Sequence, residues 1–138
     1  MRDVPRQLTA DELAVLFSGR SRFVDKLAQE DDPLDRARDV ARGLSDEEKV
    51  EALATHPRIG ERSSEQQGDD PAVLAELADL NRVYEQRFGF RFIVFVNGRS
   101  RAELVPELRR RLQNTRNEEL DTGLDALVAI AEDRWRRS

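Results

Sequence analysis

The single histidine of this chain, His56, opens the string His56-Pro57-Arg58-Ile59-Gly60-Glu61. There is no cysteine, so this imidazole is the one side chain whose ordinary titration range lies near neutral pH. Proton transfer is the chemistry it suits. A carboxylate beside it would hold the ring in one tautomer and favour its charged form. The polar loop from Arg58 to Asp70 carries such groups, in Ser63-Ser64-Glu65-Gln66-Gln67-Gly68, as it returns the chain from the histidine. A loop of this composition is ordinarily just solvated, and a histidine is more often a surface or satisfied core residue than a reagent. One histidine without cysteine falls short of the usual zinc donor set, so no metal is expected. No glycine-rich phosphate loop, nucleophile elbow or dinucleotide fingerprint is present.

The position of His56 favours chemistry. Val50-Glu51-Ala52-Leu53-Ala54-Thr55 reads as a helix, and Pro57 disfavours helical backbone at His56 itself, so the helix must stop there. The imidazole therefore sits at a rigid helix-to-loop corner. The elements that hold this corner are announced by their caps. Thr9-x-x-Glu12, Ser45-x-x-Glu48, Ser100-x-x-Glu103 and Thr115-x-x-Glu118 each fit a capping box, in which side chains satisfy otherwise orphaned backbone donors. Asp32-Pro33 and Asp70-Pro71 each pair an N-cap residue with proline at the first helical position. These signals predict helices near 10–18, 21–29, 33–43, 46–54, 71–88, 101–113 and 116–136, the fifth of them closing at Gly89. The expected fold is all-α: a single-domain compact bundle of about seven helices over residues 1–138.

One segment departs from this pattern. Phe90-Arg91-Phe92-Ile93-Val94-Phe95-Val96 is rich in β-branched and aromatic residues, which by local propensity makes a strand. No second strand-like run exists to pair with it, and an isolated strand is not stable. It is expected to be a buried irregular connector whose backbone groups need partners. A bound ligand could supply some of them, and simple core packing is the alternative.

Composition narrows the function classes. Charged residues make up 37% of the 138 positions and hydrophobic ones 38%, with a net charge of −5. The signs are interleaved, so nothing suggests a nucleic-acid footprint. Arg109-Arg110-Arg111 shares its helix with Glu103 and Glu107 and is expected to be a solvated face. No run approaches the ~20 apolar residues of a membrane span, and no signal peptide is evident. A cytoplasmic protein with no membrane partner is the expectation.

Several further strings appear in order along the chain. Glu65-Gln66 precedes Gly68, and Leu80-Asn81-Arg82-Val83-Tyr84-Glu85-Gln86-Arg87-Phe88-Gly89-Phe90-Arg91-Phe92-Ile93 follows. Arg111-Leu112-Gln113-Asn114 with Glu118-Glu119-Leu120, and Ile130-Ala131-Glu132-Asp133-Arg134, complete the series. With His56-Pro57-Arg58-Ile59-Gly60-Glu61, this set resembles the 2-oxo-4-hydroxy-4-carboxy-5-ureidoimidazoline (OHCU) decarboxylases of urate degradation, over roughly residues 9–136.

The resemblance implies an all-helical fold, usually a homodimer, acting on a small molecule without metal or organic cofactor. The implied reaction is loss of CO₂ from OHCU to give (S)-allantoin. By position, His56 resembles the family's catalytic histidine and Glu65 its carboxylate partner. Pro57, Gln66, Phe92, Ile93, Val94 and Arg134 match substrate-binding positions, the Phe92-Ile93-Val94 stretch through its backbone. Two departures stand out. The loop between His56 and Glu65 is short, and Arg91 occupies the place of the proline usual in the Phe-Gly-Phe-Pro-Phe pattern. The alternative is a non-catalytic helical interaction module that uses the Phe88–Val96 apolar run as a partner surface.

Overall fold

The computed structural model describes residues 7–57 and 70–137. Among these residues the helices are α1 (Ala10–Leu16), α2 (Arg22–Leu27), α3 (Pro33–Arg42), α4 (Asp46–Ala54), α5 (Pro71–Phe88), α6 (Arg101–Arg111) and α7 (Arg116–Arg137). Among the described residues there is no β-strand, and no helix is long and apolar enough to cross a membrane. The fold is all-α, as the capping pattern predicted.

The start signals act as expected. Thr9, Ser45 and Ser100 each form a complete capping box with Glu12, Glu48 and Glu103. At α7 the Thr115 amide donates to Glu118 at 2.8 Å, and the Glu118 amide donates to the Thr115 hydroxyl at 3.2 Å. Asp70 accepts from the Ala72 amide. Asp32 makes no such bond, so the start of α3 rests on Pro33 and its preset φ. Gly89 ends α5 in the left-handed region at φ 83°, where a side chain is strained.

Helix α7 packs against α1, α3 and α4, with α2 bridging α1, α3 and α4, and α5 packs on α6. Buried positions on α7 recur at Leu120, Leu124, Leu127, Val128 and Ala131, one stripe of a 3.6-residue helix. Gly123 extends that stripe. A β-carbon there would lie 3.1 Å from Leu53 Cδ2, so its absence lets α4 and α7 close together. This contact matters because α4 ends at the histidine corner. Leu77, Asn81, Tyr84 and Phe88 form the corresponding buried stripe on α5.

Residues 91–96 run between α5 and α6 as irregular backbone, in agreement with the reading of a connector. Most of the apolar side chains here turn inward: Phe90, Phe92, Ile93 and Val94 are buried, Phe95 is half-buried and only Val96 is exposed. The Tyr84 and Phe92 rings meet edge to face at 5.3 Å, and Tyr84 also contacts Phe88 and Phe90. The run therefore offers no continuous apolar outer face, which removes the physical basis for a Phe88–Val96 partner surface.

Arginine side chains supply partners for several of its carbonyls. Arg111 donates to Ile93 O at 2.8 Å, and Arg99 donates to Phe95 O at 2.7 Å and Val96 O at 3.1 Å. Replacing Ile93 with alanine is expected to cost about 2–5 kcal/mol of unfolding free energy, measured by urea denaturation. A loss under 1 kcal/mol would show that the connector is not a packed part of the core.

The expectation that Arg109-Arg110-Arg111 forms one solvated face is corrected here. Arg109 and Arg110 are exposed, whereas Arg111 is among the most buried side chains of the chain. Successive helical residues point about 100° apart, so three in a row cannot share one environment. Arg111 Nε donates to Glu119 Oε1 at 2.8 Å, and its guanidinium stacks 4.5 Å from the centre of the Phe92 ring. Tyr84 donates to the same Glu119 oxygen at 2.5 Å, and Asn114 donates to the other at 2.8 Å. Burial, with the hydrogen bond to Glu119, holds the Tyr84 phenol protonated well above the usual tyrosine range.

Candidate active site

Three chain corners meet at one open cleft of about 660 Å³, lined by Val15, Ser18, Thr55, His56, Pro57, Arg91 and Arg134. Helix α4 delivers the first of them. Its last carbonyls are reused as the chain turns: Thr55 N–H donates to Ala52 O at 3.4 Å and His56 N–H to Leu53 O at 3.3 Å. The Thr55 hydroxyl donates to Ala52 O at 2.8 Å and lies 3.2 Å from Phe17 O, joining this corner to the end of α1. His56 is half-buried here, supported by the fold yet open to the cleft.

The end of α1 delivers Ser18, which holds a left-handed backbone conformation at φ 68°. A non-glycine residue there costs of order 1–3 kcal/mol, and such strain collects at functional sites. The strained serine faces the histidine: Ser18 Oγ lies 3.5 Å from His56 Nδ1. Arg134 Nη1, from the last turns of α7, donates to the same Oγ at 2.7 Å and to Leu16 O at 2.8 Å. A hydroxyl that accepts from a guanidinium can direct its own proton toward the imidazole. Which of the two donates across the Ser18–His56 contact follows the tautomer of the ring. Ser18 therefore connects Arg134 to the ring.

His56, Pro57 and Arg134, singled out in the sequence, are thus brought together. Phe92, Ile93 and Val94 are not among the residues lining the cleft. Their side chains lie in the core, and the neighbouring Arg91 is what the connector contributes to the lining. Glu65 and Gln66 lie outside the described residues. Val15, Ser18 and Thr55 were not found by sequence reasoning. Ser18 and Thr55 meet partners 38 or more positions away, and a serine-glycine pair after a short helix reads as an ordinary turn. Among the described lining residues there are two guanidinium groups and one imidazole, and no carboxylate. Such a cleft suits an anion. Among the described residues, no group of three or more histidine, aspartate or glutamate side chains is placed to hold a metal ion.

The fold is shared with solved structures. A crystal structure of OHCU decarboxylase in the presence of (S)-allantoin superposes with a TM-score of 0.75 at 28% identity, covering 89% of this chain and 94% of that one. A crystal structure of (S)-allantoin synthase, at 22% identity, shares the fold with a TM-score of 0.71, covering 91% of this chain and 47% of that one. The OHCU decarboxylase family model matches residues 8–136, so this chain belongs to the OHCU decarboxylase family.

Among curated relatives, the uric acid degradation bifunctional protein TTL of Arabidopsis thaliana is 31% identical over 64% of this chain and 32% of its own length. The 2-oxo-4-hydroxy-4-carboxy-5-ureidoimidazoline decarboxylase of Halalkalicoccus jeotgali is 30% identical over 63% of this chain and 56% of its own. The matches thus span about a third of the first relative and just over half of the second.

Proposed function

We propose that this chain decarboxylates OHCU to (S)-allantoin, using His56 to deliver a proton to one face of the ring. The observation that carries the reading is the convergence of His56, Pro57 and Arg134 on one cation-lined cleft in a chain of this family. OHCU carries a carboxylate, which a cleft with two arginines and no described carboxylate in its lining can attract. When the C–C bond to that carboxylate breaks, CO₂ leaves and the electron pair passes to the adjacent C=N of the ring. The substrate is its own electron sink, so the reaction needs no pyridoxal or thiamine. The ring nitrogen takes up a proton, the hydroxyl carbon becomes a carbonyl as its O–H proton leaves, and a proton adds at the neighbouring ring carbon, where the face of delivery sets the enantiomer. His56 in its protonated form, with Ser18 Oγ beside Nδ1, is the donor in this scheme.

Glu65 and Gln66 complete the proposed set by family position, Glu65 favouring the charged ring and Gln66 reading a polar group of the substrate. The backbone of Phe92, Ile93 and Val94 is the proposed contact for the amide-rich heterocycle. A homodimer is part of the same reading and is tested by light scattering of the purified protein.

The reading is tested by generating OHCU from urate and following its loss with EDTA-treated protein. OHCU is expected to disappear faster than in buffer, in proportion to protein concentration. Decay at the buffer rate at every protein concentration would reject the proposal.

A further inference from the structure

Arg91 stands where the cleft, the end of α4 and the apolar connector meet. Its Nη1 donates to the carbonyls of Ala54 at 3.0 Å and His56 at 2.8 Å. Those carbonyls lie at the C-terminal end of α4, where unsatisfied oxygens concentrate negative partial charge and a guanidinium is well placed. The connector fixes the other end of this tether. Phe90 and Phe92, the neighbours of Arg91 in sequence, are buried among the Tyr84 and Phe88 rings, so the arginine projects from a packed base. The same side chain lines the cleft beside His56 and Pro57. Arg134 lines it too, from α7, where its Nη1 is held by Leu16 O and Ser18 Oγ. Each guanidinium is thus anchored to backbone carbonyls, one at the end of α1 and one at the end of α4, and both border the same space. Anchoring lowers the entropy lost when a guanidinium forms charge-assisted hydrogen bonds to an anion.

We propose that Arg91 is a further substrate-binding residue, contacting the anionic carboxylate of the substrate from the α4 side of the cleft together with Arg134. The inference rests on the proposed OHCU reaction and adds the residue that confers selectivity for a charged over a neutral ring. A purely structural helix cap would need the hydrogen bonds of Arg91 and not its charge, and the two roles separate by substitution. Glutamine can still donate to one of the α4 carbonyls but is neutral, whereas lysine keeps the charge with different donor geometry.

The test measures KM for OHCU, inhibition by neutral (S)-allantoin, and melting temperature for the wild type, Arg91→Gln and Arg91→Lys. KM for OHCU is expected to rise about tenfold in Arg91→Gln, the size of one charge-assisted hydrogen bond, with kcat changing less. Arg91→Lys should recover part of that loss, while inhibition by (S)-allantoin stays within about twofold of wild type in both, since a neutral ligand does not draw on the charge. In the wild type, KM for OHCU should also rise with ionic strength, and more steeply than in Arg91→Gln. This salt comparison does not depend on the lysine variant folding.

Unchanged KM in Arg91→Gln would overturn the inference. So would parallel weakening of OHCU and (S)-allantoin with a lowered melting temperature, which would mark a cap alone. A wild type that fails to speed OHCU loss would instead reject the underlying reaction, and this inference with it.

Discussion

Replacing His56 with asparagine is expected to lower turnover of OHCU by about 10²–10⁴-fold, the range that a positioned proton donor contributes. The folded state should survive the change. The backbone contacts at this residue, His56 N–H to Leu53 O and the His56 carbonyl to Arg91, do not involve the imidazole. The ring is half-buried at a cleft rather than packed in the core. Far-UV circular dichroism and melting temperature of His56→Asn should therefore match wild type within a few degrees. A variant that loses several degrees but keeps its activity per folded molecule would make His56 a structural residue, and the proton donor would have to be sought elsewhere.

The second large effect is expected at the buried pair Arg111–Glu119. Both side chains are almost wholly removed from water, at 2% and 0% exposure. Taking two charges into that environment is offset only while each finds the other and its remaining polar atoms find partners. Glu119→Gln leaves the guanidinium with only the longer contact to Glu107 at 3.9 Å and disturbs the bonds from Tyr84 and Asn114. A cost of about 3–5 kcal/mol in urea unfolding is expected. Arg111→Met/Glu119→Leu removes both charges and should be destabilised by clearly less than the sum of the single changes. Loss in Glu119→Gln below 1 kcal/mol, or strict additivity in the double variant, would contradict this account of the pair. The effect should reach the cleft. Arg111 holds the Ile93 carbonyl and stacks on Phe92, and the connector that carries those residues also carries Arg91 to the His56 corner.

The two sets of residues differ in how visible they were beforehand. Helix starts are written locally: Thr9 and Glu12, or Ser100 and Glu103, lie three residues apart, and the bonds they make close within that span. The connector was legible because a lone apolar β-like run without a pairing partner leaves few options. Ser18 was not singled out and Arg91 stood out only as a departure from the family proline, since their partners are 38 or 116 positions away for the first and 35 or 37 for the second. Such contacts exist only once α1, α4 and α7 have packed. Arg111 was misread for a related reason. Composition treats neighbouring arginines alike, while helix geometry sends one of the three into the core. Phe92, Ile93 and Val94, which the resemblance singled out, do not line the described cleft, and the same connector contributes Arg91 to it.

The central claim is stereospecific proton delivery at the His56 cleft, and it is tested most directly by the circular dichroism of the product formed from freshly generated OHCU. With wild-type protein the signal of (S)-allantoin should grow as OHCU is consumed, whereas with His56→Asn it should stay near the racemic baseline. Racemic product from the wild type, or an undiminished (S)-allantoin signal from His56→Asn, would contradict the account.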